Sequence, residues 1–153
     1  MYNVIMSELR KCENCNVCCD RTVSGTVNGR DFGYGSPCHF LKDKKCSIYN
    51  HRPLMCQAFK CKWLIDDQFP KEFKPNLCGI LVYPLSQNLL YGKKIKCYII
   101  NVKMYFNPYH KQKICLEKII KWMKENNENW IIIQNQQTSN FGGSEEFLQW
   151  LKS

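Results

Sequence analysis

The sequence feature that most constrains this chain is a run of four cysteines within eight residues, Cys12-Glu13-Asn14-Cys15-Asn16-Val17-Cys18-Cys19. Buried cysteine ordinarily packs as a small hydrophobe, but this run is polar and has no apolar period. We therefore expect its thiols to be present for their chemistry. A second group of four follows at Cys38, Cys46, Cys56 and Cys61.

The location of the protein decides what clustered thiols mean. Residues 1–11 show no basic region followed by an apolar run of roughly 7–15 residues, as a signal peptide would. The longest apolar stretch, Ile80 to Leu85, contains Pro84 and is far shorter than the roughly 20 residues of a membrane helix. We expect an intracellular, cytoplasmic protein without a membrane partner, in which clustered cysteines indicate metal. Disulfides in a secreted protein and a redox thiol relay are the alternatives, although the 11 cysteines cannot all pair within one chain.

The cysteine spacing suits metal ligation. A C-x2-C pair can place two sulfurs on one metal, and the C-x2-C-x2-C run also resembles the start of a bacterial iron–sulfur site. The neighbours Cys18 and Cys19 point in different directions in a strand or a helix, so either they serve two sites or one is a spectator. We expect each site to take two or three sulfurs from the first group and the rest from the second. Zinc and an iron–sulfur cluster both fit, and the close triplet favours the cluster slightly.

Residues 53–65 predict a helix that carries one of the ligands. Pro53 suits the first helical turn, and an apolar stripe runs from Leu54 to Ile65. Cys56 would then lie in the first turn, where the partial positive charge of the helix N-terminus favours a thiolate. His39 and His51 lie near ligands, and we expect them to be surface or neighbouring residues rather than ligands.

The rest of the chain predicts an ordinary α+β arrangement. Residues 22–29 resemble a small hairpin, and strands are expected at 79–83, 95–106 and 130–133, with a turn at 89–92. Helices are expected at 110–126 and after Ser144, which can cap the last helix. The predicted fold class is α+β: a metal-stapled, cysteine-rich module (1–74) packed on a small sheet with two or three helices (75–153), in one domain over 1–153.

The formal charge of +9 overstates the basic character of a metal-loaded chain. Two four-thiolate centres of about −2 each would leave a charge of about +5. The lysines are densest at 42–45 and 93–96, where a solvated face is the expected role. A zinc-stapled nucleic-acid-binding module is the alternative function, but the sequence has no recognition-helix or aromatic RNA-binding signature, so nucleic acid is a disfavoured partner.

The cysteine pattern resembles a known family. Cys12-x2-Cys15-x2-Cys18-Cys19 is followed by Pro37-Cys38-His39-Phe40-Leu41, then by Cys46-Ser47-Ile48-Tyr49-Asn50-His51-Arg52-Pro53 and Cys56-x2-Phe59. Together these segments resemble the cysteine-cluster family of zinc- or iron-chelating proteins, the YkgJ type. The resemblance covers residues 12 to about 64, and the stretch 20–36 departs from the family by being short and hairpin-like.

The resemblance implies a metal held by eight cysteines, and it points to protein modification because some relatives are linked to methylation of protein lysines. The implied metal ligands are Cys12, Cys15, Cys18, Cys19, Cys38, Cys46, Cys56 and Cys61. A protein or peptide substrate is therefore the expected partner.

Several residues have a structural and a functional interpretation. Arg52 and Tyr49 either pack at the helix start or, for Arg52, stabilise an anionic thiolate site or substrate. Cys78, Cys97 and Cys115 lie in apolar patterns and are expected to be buried spectators. The sequence shows no Ser/His/Asp order, phosphate loop or metalloprotease helix, so catalysis is expected only through the metal site itself.

Overall fold

The computed structural model describes residues 10–12, 15–33, 35–85 and 95–152. The predicted turn at 89–92 and the lysines at 93 and 94 lie outside these residues. Within them the chain has the predicted α+β class, with the clustered cysteines in its N-terminal part.

A four-stranded mixed sheet forms the base of the molecule. Its strands are β5 (Ile80–Pro84), β6 (Tyr98–Val102), β7 (Trp130–Gln134) and β8 (Gln137–Gly142), in that spatial order. Strands β5 and β6 are antiparallel, β6 and β7 are parallel, and β7 and β8 form an antiparallel hairpin. Both faces of β5 and β6 are buried at their centres, which explains their continuous apolar sequences.

The parallel pair requires a crossover, which the longest helix supplies. This helix, α4, runs from Tyr109 to Glu125, close to the predicted 110–126. Ile119 and Met123 of α4 are fully buried, as the sequence pattern predicted. The side-chain amide of Gln112 donates hydrogen bonds to the carbonyls of Gly79 and Lys103, both at 2.8 Å, which fixes the helix against the ends of β5 and β6.

The predicted last helix is also present. Helix α5 spans Glu145–Lys152 and buries Phe147. The hydroxyl of Ser144 accepts a hydrogen bond from the backbone N–H of Phe147 at 3.2 Å, which is the predicted capping contact. The acids Glu145 and Glu146 occupy the first turn.

The cysteine-rich part consists of short elements. A π-helical turn (Cys18–Thr22) leads into the hairpin of β1 (Gly25–Val27) and β2 (Arg30–Phe32). A second hairpin pairs β3 (Leu41–Lys42) with β4 (Lys45–Cys46). Three short helices follow: α1 (Leu54–Ala58), α2 (Lys62–Ile65) and α3 (Pro75–Cys78), and single 3-10 turns occur at Tyr49–His51 and Lys71–Phe73.

The predicted continuous helix over 53–65 is wrong, because the chain leaves the helical conformation between α1 and α2. Phe59 and Cys61 both have extended backbone angles. Residues five positions apart on a helix point about 140° apart, so one helix could not direct Cys56 and Cys61 into the same space. The break allows both to do so, and it leaves Leu54 82% exposed, instead of in the predicted apolar stripe.

The two parts of the chain are joined by polar contacts as well as by packing. Lys103 forms an ion pair with Asp20 at 2.9 Å, and the amide of Asn101 donates to the carbonyl of Thr22 at 2.9 Å. Within the cysteine-rich part, the Arg10 guanidinium donates to the carbonyl of Trp63 at 2.8 Å. Cys15 and Cys18 pack against the same hydrophobic core that contains the sheet.

None of the helices in the described ranges has the length and apolar character that crossing a membrane requires.

The turn between α3 and β5 depends on glycine. Gly79 has φ +72°, and a Cβ there would collide with the ring of Phe106. We predict that Gly79→Ala lowers the free energy of unfolding by about 3 kcal/mol, from backbone strain and overpacking together. Chemical denaturation measures the change.

Gly29 provides the matched control, because its φ of +78° is similar while no atom lies within 4 Å of the position that a Cβ would take. Gly29→Ala should cost only the backbone term, about 1 kcal/mol. Equal losses in the two variants would show that the contact with Phe106 is unimportant.

Candidate metal centre

One cavity of about 430 Å³ brings the clustered cysteines together. All eight residues predicted as ligands line it, and they are Cys12, Cys15, Cys18, Cys19, Cys38, Cys46, Cys56 and Cys61. They come from several local elements, including the π-helical turn, the second hairpin and the starts of both α1 and α2. The remaining lining is mainly apolar, with Val27, Phe32, Phe40, Ile48, Phe59 and Leu81 among its residues.

Four of these thiols form one mutually interacting set, which we call set A. Its members are Cys12, Cys15, Cys18 and Cys61. Every pair among the four is close enough for each thiolate to disfavour the other electrostatically. The backbone N–H of Cys15 donates to the carbonyl of Cys12 at 2.7 Å, and this tight turn is what the C-x2-C spacing predicts.

The other four thiols make up set B, which consists of Cys19, Cys38, Cys46 and Cys56. Cys56 interacts electrostatically with Cys38 and Cys46. Cys19, Cys38 and Cys56 share a small hydrophobic cluster with Val27 and Phe32. The backbone N–H of Cys38 donates to the carbonyl of Cys19 at 2.9 Å, which ties the second hairpin to the first cysteine run.

The adjacent residues Cys18 and Cys19 mark the junction of the two sets. Cys18 packs towards the sheet core and Cys19 towards the smaller cluster. Their side chains still contact each other through a hydrogen bond, and Cys18 also interacts with Cys56. The two sets are therefore neighbours within one cavity, with three thiols of set A in the first cysteine run and three of set B in the second group.

The electrostatics of set A keep its thiols protonated in the absence of a cation. Desolvation by burial raises the pKa values of Cys12, Cys15 and Cys61, that of Cys61 to about 12, and neighbouring thiolates raise them further. A hydrogen bond donated to Cys19, followed by desolvation, raises the pKa of Cys18. A metal that bound here would have to displace protons from thiols that hold them strongly.

The predicted effect of the helix N-terminus on Cys56 is outweighed. Cys56 does lie in the first turn of α1, as predicted. Its pKa is nevertheless raised, by desolvation and then by the thiols of Cys18, Cys38 and Cys46. The helix has only five residues, so its dipole is small.

Arg52 is a cationic residue that acts electrostatically on thiols of both sets. It lines the cavity and lowers the pKa values of Cys12, Cys18 and Cys56 against the dominant effect of burial. Its guanidinium lies over the ring of Tyr49 at 4.1 Å, and its Nε donates to the Tyr49 carbonyl at 3.0 Å. Arg52 therefore packs at the start of α1, as one interpretation predicted, and it lines the cavity with both sulfur sets. Its stabilisation of an anionic thiolate site or substrate stays a prediction.

The two histidines near the cysteines do not line the cavity. His39 packs against the ring of Phe40, with centroids 4.0 Å apart, and His51 is exposed. Their positions agree with the predicted surface or neighbouring role.

The thiols share a cavity without being preformed as a coordination shell. Among the described residues, no three Cys, His, Asp or Glu side chains are arranged to hold a metal ion as they stand. The donor chemistry, the burial and the number of sulfurs suit a thiolate-bound metal, whereas the side-chain directions would have to adjust. Neutral thiols have no electrostatic reason to converge, and four thiolates repel one another until a cation is present.

Lys62, which directly follows Cys61, is a residue whose role the sequence did not reveal. Its side chain is 1% exposed, and its ammonium lies 4.1 Å from the ring centroid of Tyr98 and 5.0 Å from that of Trp122. It pairs with Asp66 at 2.9 Å and with Glu128 at 3.6 Å. Lysine is almost never fully buried without partners, so these contacts fix α2, and Cys61 at its start, against the sheet and α4.

The pairing of Cys78 with Cys115 was also missed. Each thiol affects the ionisation of the other, so that the pKa of Cys78 is raised and that of Cys115 is lowered, an interaction that the sequence did not indicate. Cys78, Cys97 and Cys115 are all buried, as predicted, and the pKa of Cys97 is raised by desolvation alone. The signal for the pair was weak, because the two residues belong to different helices that meet only in the folded chain.

The lysines proposed as a nucleic-acid surface are only partly described. Lys42, Lys44 and Lys45 are exposed on the hairpin of β3 and β4. This agrees with a solvated face, and binding to nucleic acid stays an untested alternative.

Comparisons of the chain with protein-family models, curated proteins and solved structures found no match. The resemblance to the cysteine-cluster family therefore stays a prediction based on the quoted motifs.

We predict that Lys62→Met lowers the free energy of unfolding by about 3 kcal/mol, because two partly buried carboxylates lose their cation. Lys121→Met is the matched control: its exposed pair with Glu125, in which Lys121 is 77% exposed, should contribute almost nothing. Denaturant titration at neutral pH measures both variants.

The loss in Lys62→Met should shrink in acid. Desolvation opposes ionisation of Asp66, but the hydrogen bond and charge of Lys62 outweigh it and leave the pKa of Asp66 below its usual value. The pair therefore stabilises the fold fully above about pH 4 and loses its effect as the pH falls through that lowered pKa. A loss independent of pH would assign the effect to packing alone.

Proposed function

We propose that this protein binds metal through two neighbouring four-cysteine sites, set A and set B. The observation that carries the proposal is that all eight clustered cysteines line one cavity of about 430 Å³. Sulfur is the ligand type of zinc, copper(I) and iron–sulfur centres. Four thiolates per site complete the coordination of a structural zinc ion or of a cuboidal iron–sulfur cluster.

The size of the cavity supports iron–sulfur clusters over zinc. A tetrahedral zinc ion occupies only the space between four sulfurs about 2.3 Å away, so two such ions would use little of the volume. Clusters contain inorganic sulfide as well as iron and fill more space between the same ligands. When bound, such clusters would supply one-electron chemistry.

The chain's own residues have distinct roles in this proposal. The apolar lining reduces the contact of the sulfurs with water, and the guanidinium of Arg52 partly compensates the negative charge that four thiolates per site would create. Lys62 and its acidic partners hold Cys61 in place for set A. Most of the lining belongs to the cysteine-rich part, and Leu81, Tyr83 and Asn101 of the sheet complete it.

A protein or peptide substrate belongs to this proposal through the family resemblance alone, and a cytoplasmic setting belongs to it because clustered thiols stay reduced there. The exposed rim of the cavity, which includes Tyr49 and Met55, is where such a chain would approach.

Metal content and absorption of the full chain test the proposal. After anaerobic purification, and after reconstitution with ferrous iron and sulfide or with zinc, we expect stoichiometric binding by two centres per chain. Broad visible absorbance would identify iron–sulfur clusters, and a colourless protein with two zinc ions would retain the sites and reject the redox version. A folded chain that binds neither metal after either reconstitution would overturn the proposal.

The division into two sets makes a sharper prediction. Cys61→Ser and Cys46→Ser should each remove about half of the bound metal, since each disables one site, whereas Cys97→Ser should remove none. Adding Cys18→Ser to Cys61→Ser should cause no further loss, because both belong to set A. Adding it to Cys46→Ser should empty both sites.

Metal analysis of these five variants, with circular dichroism as a check on folding, measures the outcome. Equal, complete loss in Cys61→Ser and Cys46→Ser, with none in Cys97→Ser, would indicate one shared centre. A further loss in the Cys18→Ser, Cys61→Ser double variant would place those two residues in different sites.

Binding should release protons. Because all four thiols of set A have raised pKa values, they are protonated at neutral pH, and zinc should displace about four protons there. Calorimetric titration of the metal-free chain in buffers of different ionisation enthalpy counts them. Affinity should fall as the pH is lowered, and proton release near zero would show that the sulfurs are already thiolates.

A further inference from the structure

The cavity meets solvent at the start of α1, where large apolar residues are exposed. Tyr49 and Met55 line the cavity and are 37% and 43% exposed, and Leu54, beside Met55 on α1, is 82% exposed. The side chain of Met55 reaches the first hairpin, since a Cβ at Gly25 would lie 2.9 Å from its terminal methyl carbon. We call Tyr49, Leu54 and Met55 the rim. Large apolar side chains grouped in this way on a surface mark an interaction site.

Arg52 places a cation beside the rim. Its guanidinium lies 4.1 Å from the ring centroid of Tyr49, and its Nε donates to the Tyr49 carbonyl at 3.0 Å. Within residues 10–12, 15–33, 35–85 and 95–152, no carboxylate forms an ion pair with it. Because the side chain is already oriented, an anion that binds to it costs little further conformational entropy.

The hairpin of β3 and β4 adds a concentration of positive charge. Lys42 lies directly opposite Lys45 in the register of the two strands, and like charges in that arrangement destabilise a hairpin. Lys44 lies in the turn between the strands beside Asp43, and all three lysines are exposed. In the part of the chain that the structure describes, none of the three pairs with a carboxylate. An acidic partner would relieve this repulsion.

The hairpin and the rim belong to one surface. Ile48 and Cys56, which are sequence neighbours of two rim residues, pack against one small hydrophobic cluster. The amide of Asn16 donates to the carbonyl of Lys44 at 3.1 Å, which holds the turn beside the first cysteine run. Cys46, at the end of β4, also lines the cavity. Cations and exposed apolar side chains therefore lie together at the entrance to the sulfurs.

We propose that the rim and this hairpin dock an acidic segment of a partner protein, with an apolar side chain of that segment seated on Leu54 and Met55. The inference rests on the proposed function, because the docked segment is the protein substrate that is brought to the sulfur-bound metal. Carboxylates of the segment pair with Arg52 and the hairpin lysines, and they steer its approach. The apolar contact fixes its position.

The exposed aliphatic side chains favour a protein over a nucleic acid. Phosphate groups bind to cations and bases stack on aromatic rings, so a nucleic acid would leave Leu54 and Met55 without a role. A protein segment uses both kinds of residue, as interfaces with an apolar centre and a polar periphery do.

Titration of labelled peptides with the full-length, metal-loaded chain tests the proposal, with fluorescence anisotropy as the measurement. The first probe is a short glutamate-rich peptide with leucine at its centre. In the second probe serine replaces the leucine, and in the third lysine replaces the glutamates. We expect the first peptide to bind about fivefold more tightly than the second and at least about tenfold more tightly than the third. Raising the NaCl concentration from about 50 to about 500 mM should weaken the first complex about tenfold, because salt screens the charges.

Substitutions outside the cavity lining locate the docking surface. Leu54→Ser should weaken binding of the first peptide about fivefold, and Lys44→Gln combined with Lys45→Gln should do the same. Their metal content should equal that of the unmodified chain, because none of these three residues lines the cavity.

The matched control variants lie on α4. Ile114→Ser changes an apolar residue that is 51% exposed, and Lys113→Gln combined with Lys121→Gln removes two exposed lysines. Both variants should bind the first peptide as the unmodified chain does. Weakening as large as that in the rim and hairpin variants would overturn the proposal, because it would show a general effect of charge and apolar surface.

Three further results would also overturn the proposal. They are no binding of the first peptide, equal binding of the glutamate and lysine peptides, and tighter binding of a single-stranded oligonucleotide that Leu54→Ser does not affect. Metal analysis of the same samples separates this proposal from the proposed function. A metal-loaded chain that does not bind the peptide rejects the docking surface alone, whereas a folded chain that binds the peptide without metal retains the surface and rejects the metal sites.

Discussion

The structure depends on the gathering of eight cysteines around one largely apolar cavity. Burial raises the pKa values of Cys12, Cys15, Cys56 and Cys61, that of Cys61 to about 12, so ionisation of these four thiols is opposed unless a positive charge accompanies it. The surrounding elements are correspondingly short. Two hairpins and two helices of five and four residues have little apolar area with which to stabilise themselves. All four elements lie around the cavity.

The attachment of this part to the sheet relies on a few polar contacts that reach across the core. Several of these contacts are made by Lys62, because its ammonium contacts the rings of Tyr98 and Trp122 and two carboxylates. An ion buried in this way needs all its partners, because leaving a charge unpaired in the interior is costly. It thereby specifies one position for α2, and with it one direction for Cys61.

The sequence predicted the elements whose signal is local. Helix α4, strands β5 and β7 and the Ser144 cap follow from periodicity and capping chemistry, and the cysteine spacing predicted which residues would gather. Strand β8 was missed because Gln137–Gly142 is exposed almost throughout and has no alternating apolar pattern. The predicted strand at 95–106 was too long: regular pairing ends at Val102, and Tyr105 adopts a left-handed backbone conformation.

Contacts between distant segments account for the remaining differences. The helix predicted at 53–65 divides because Cys56 and Cys61 both line one cavity. Local helix propensity does not reflect this tertiary requirement. The burial of Lys62 and the interaction of Cys78 with Cys115 depend on α4 and β6 lying beside residues far away in sequence. Tertiary context, rather than any short motif, decides these features.

The order of the eight cysteines along the chain has a consequence for synthesis. All of them precede residue 62, whereas the strands that form the floor beneath Cys15 and Cys18 begin at Ile80 and end at Gly142. On the ribosome, where folding proceeds from the N-terminal side, every sulfur emerges before the surface that will bury it. The growing chain therefore passes through a stage in which all eight clustered thiols are present, solvent-accessible and unprotected. Delivery of a metal or protection by a chaperone would act at that stage.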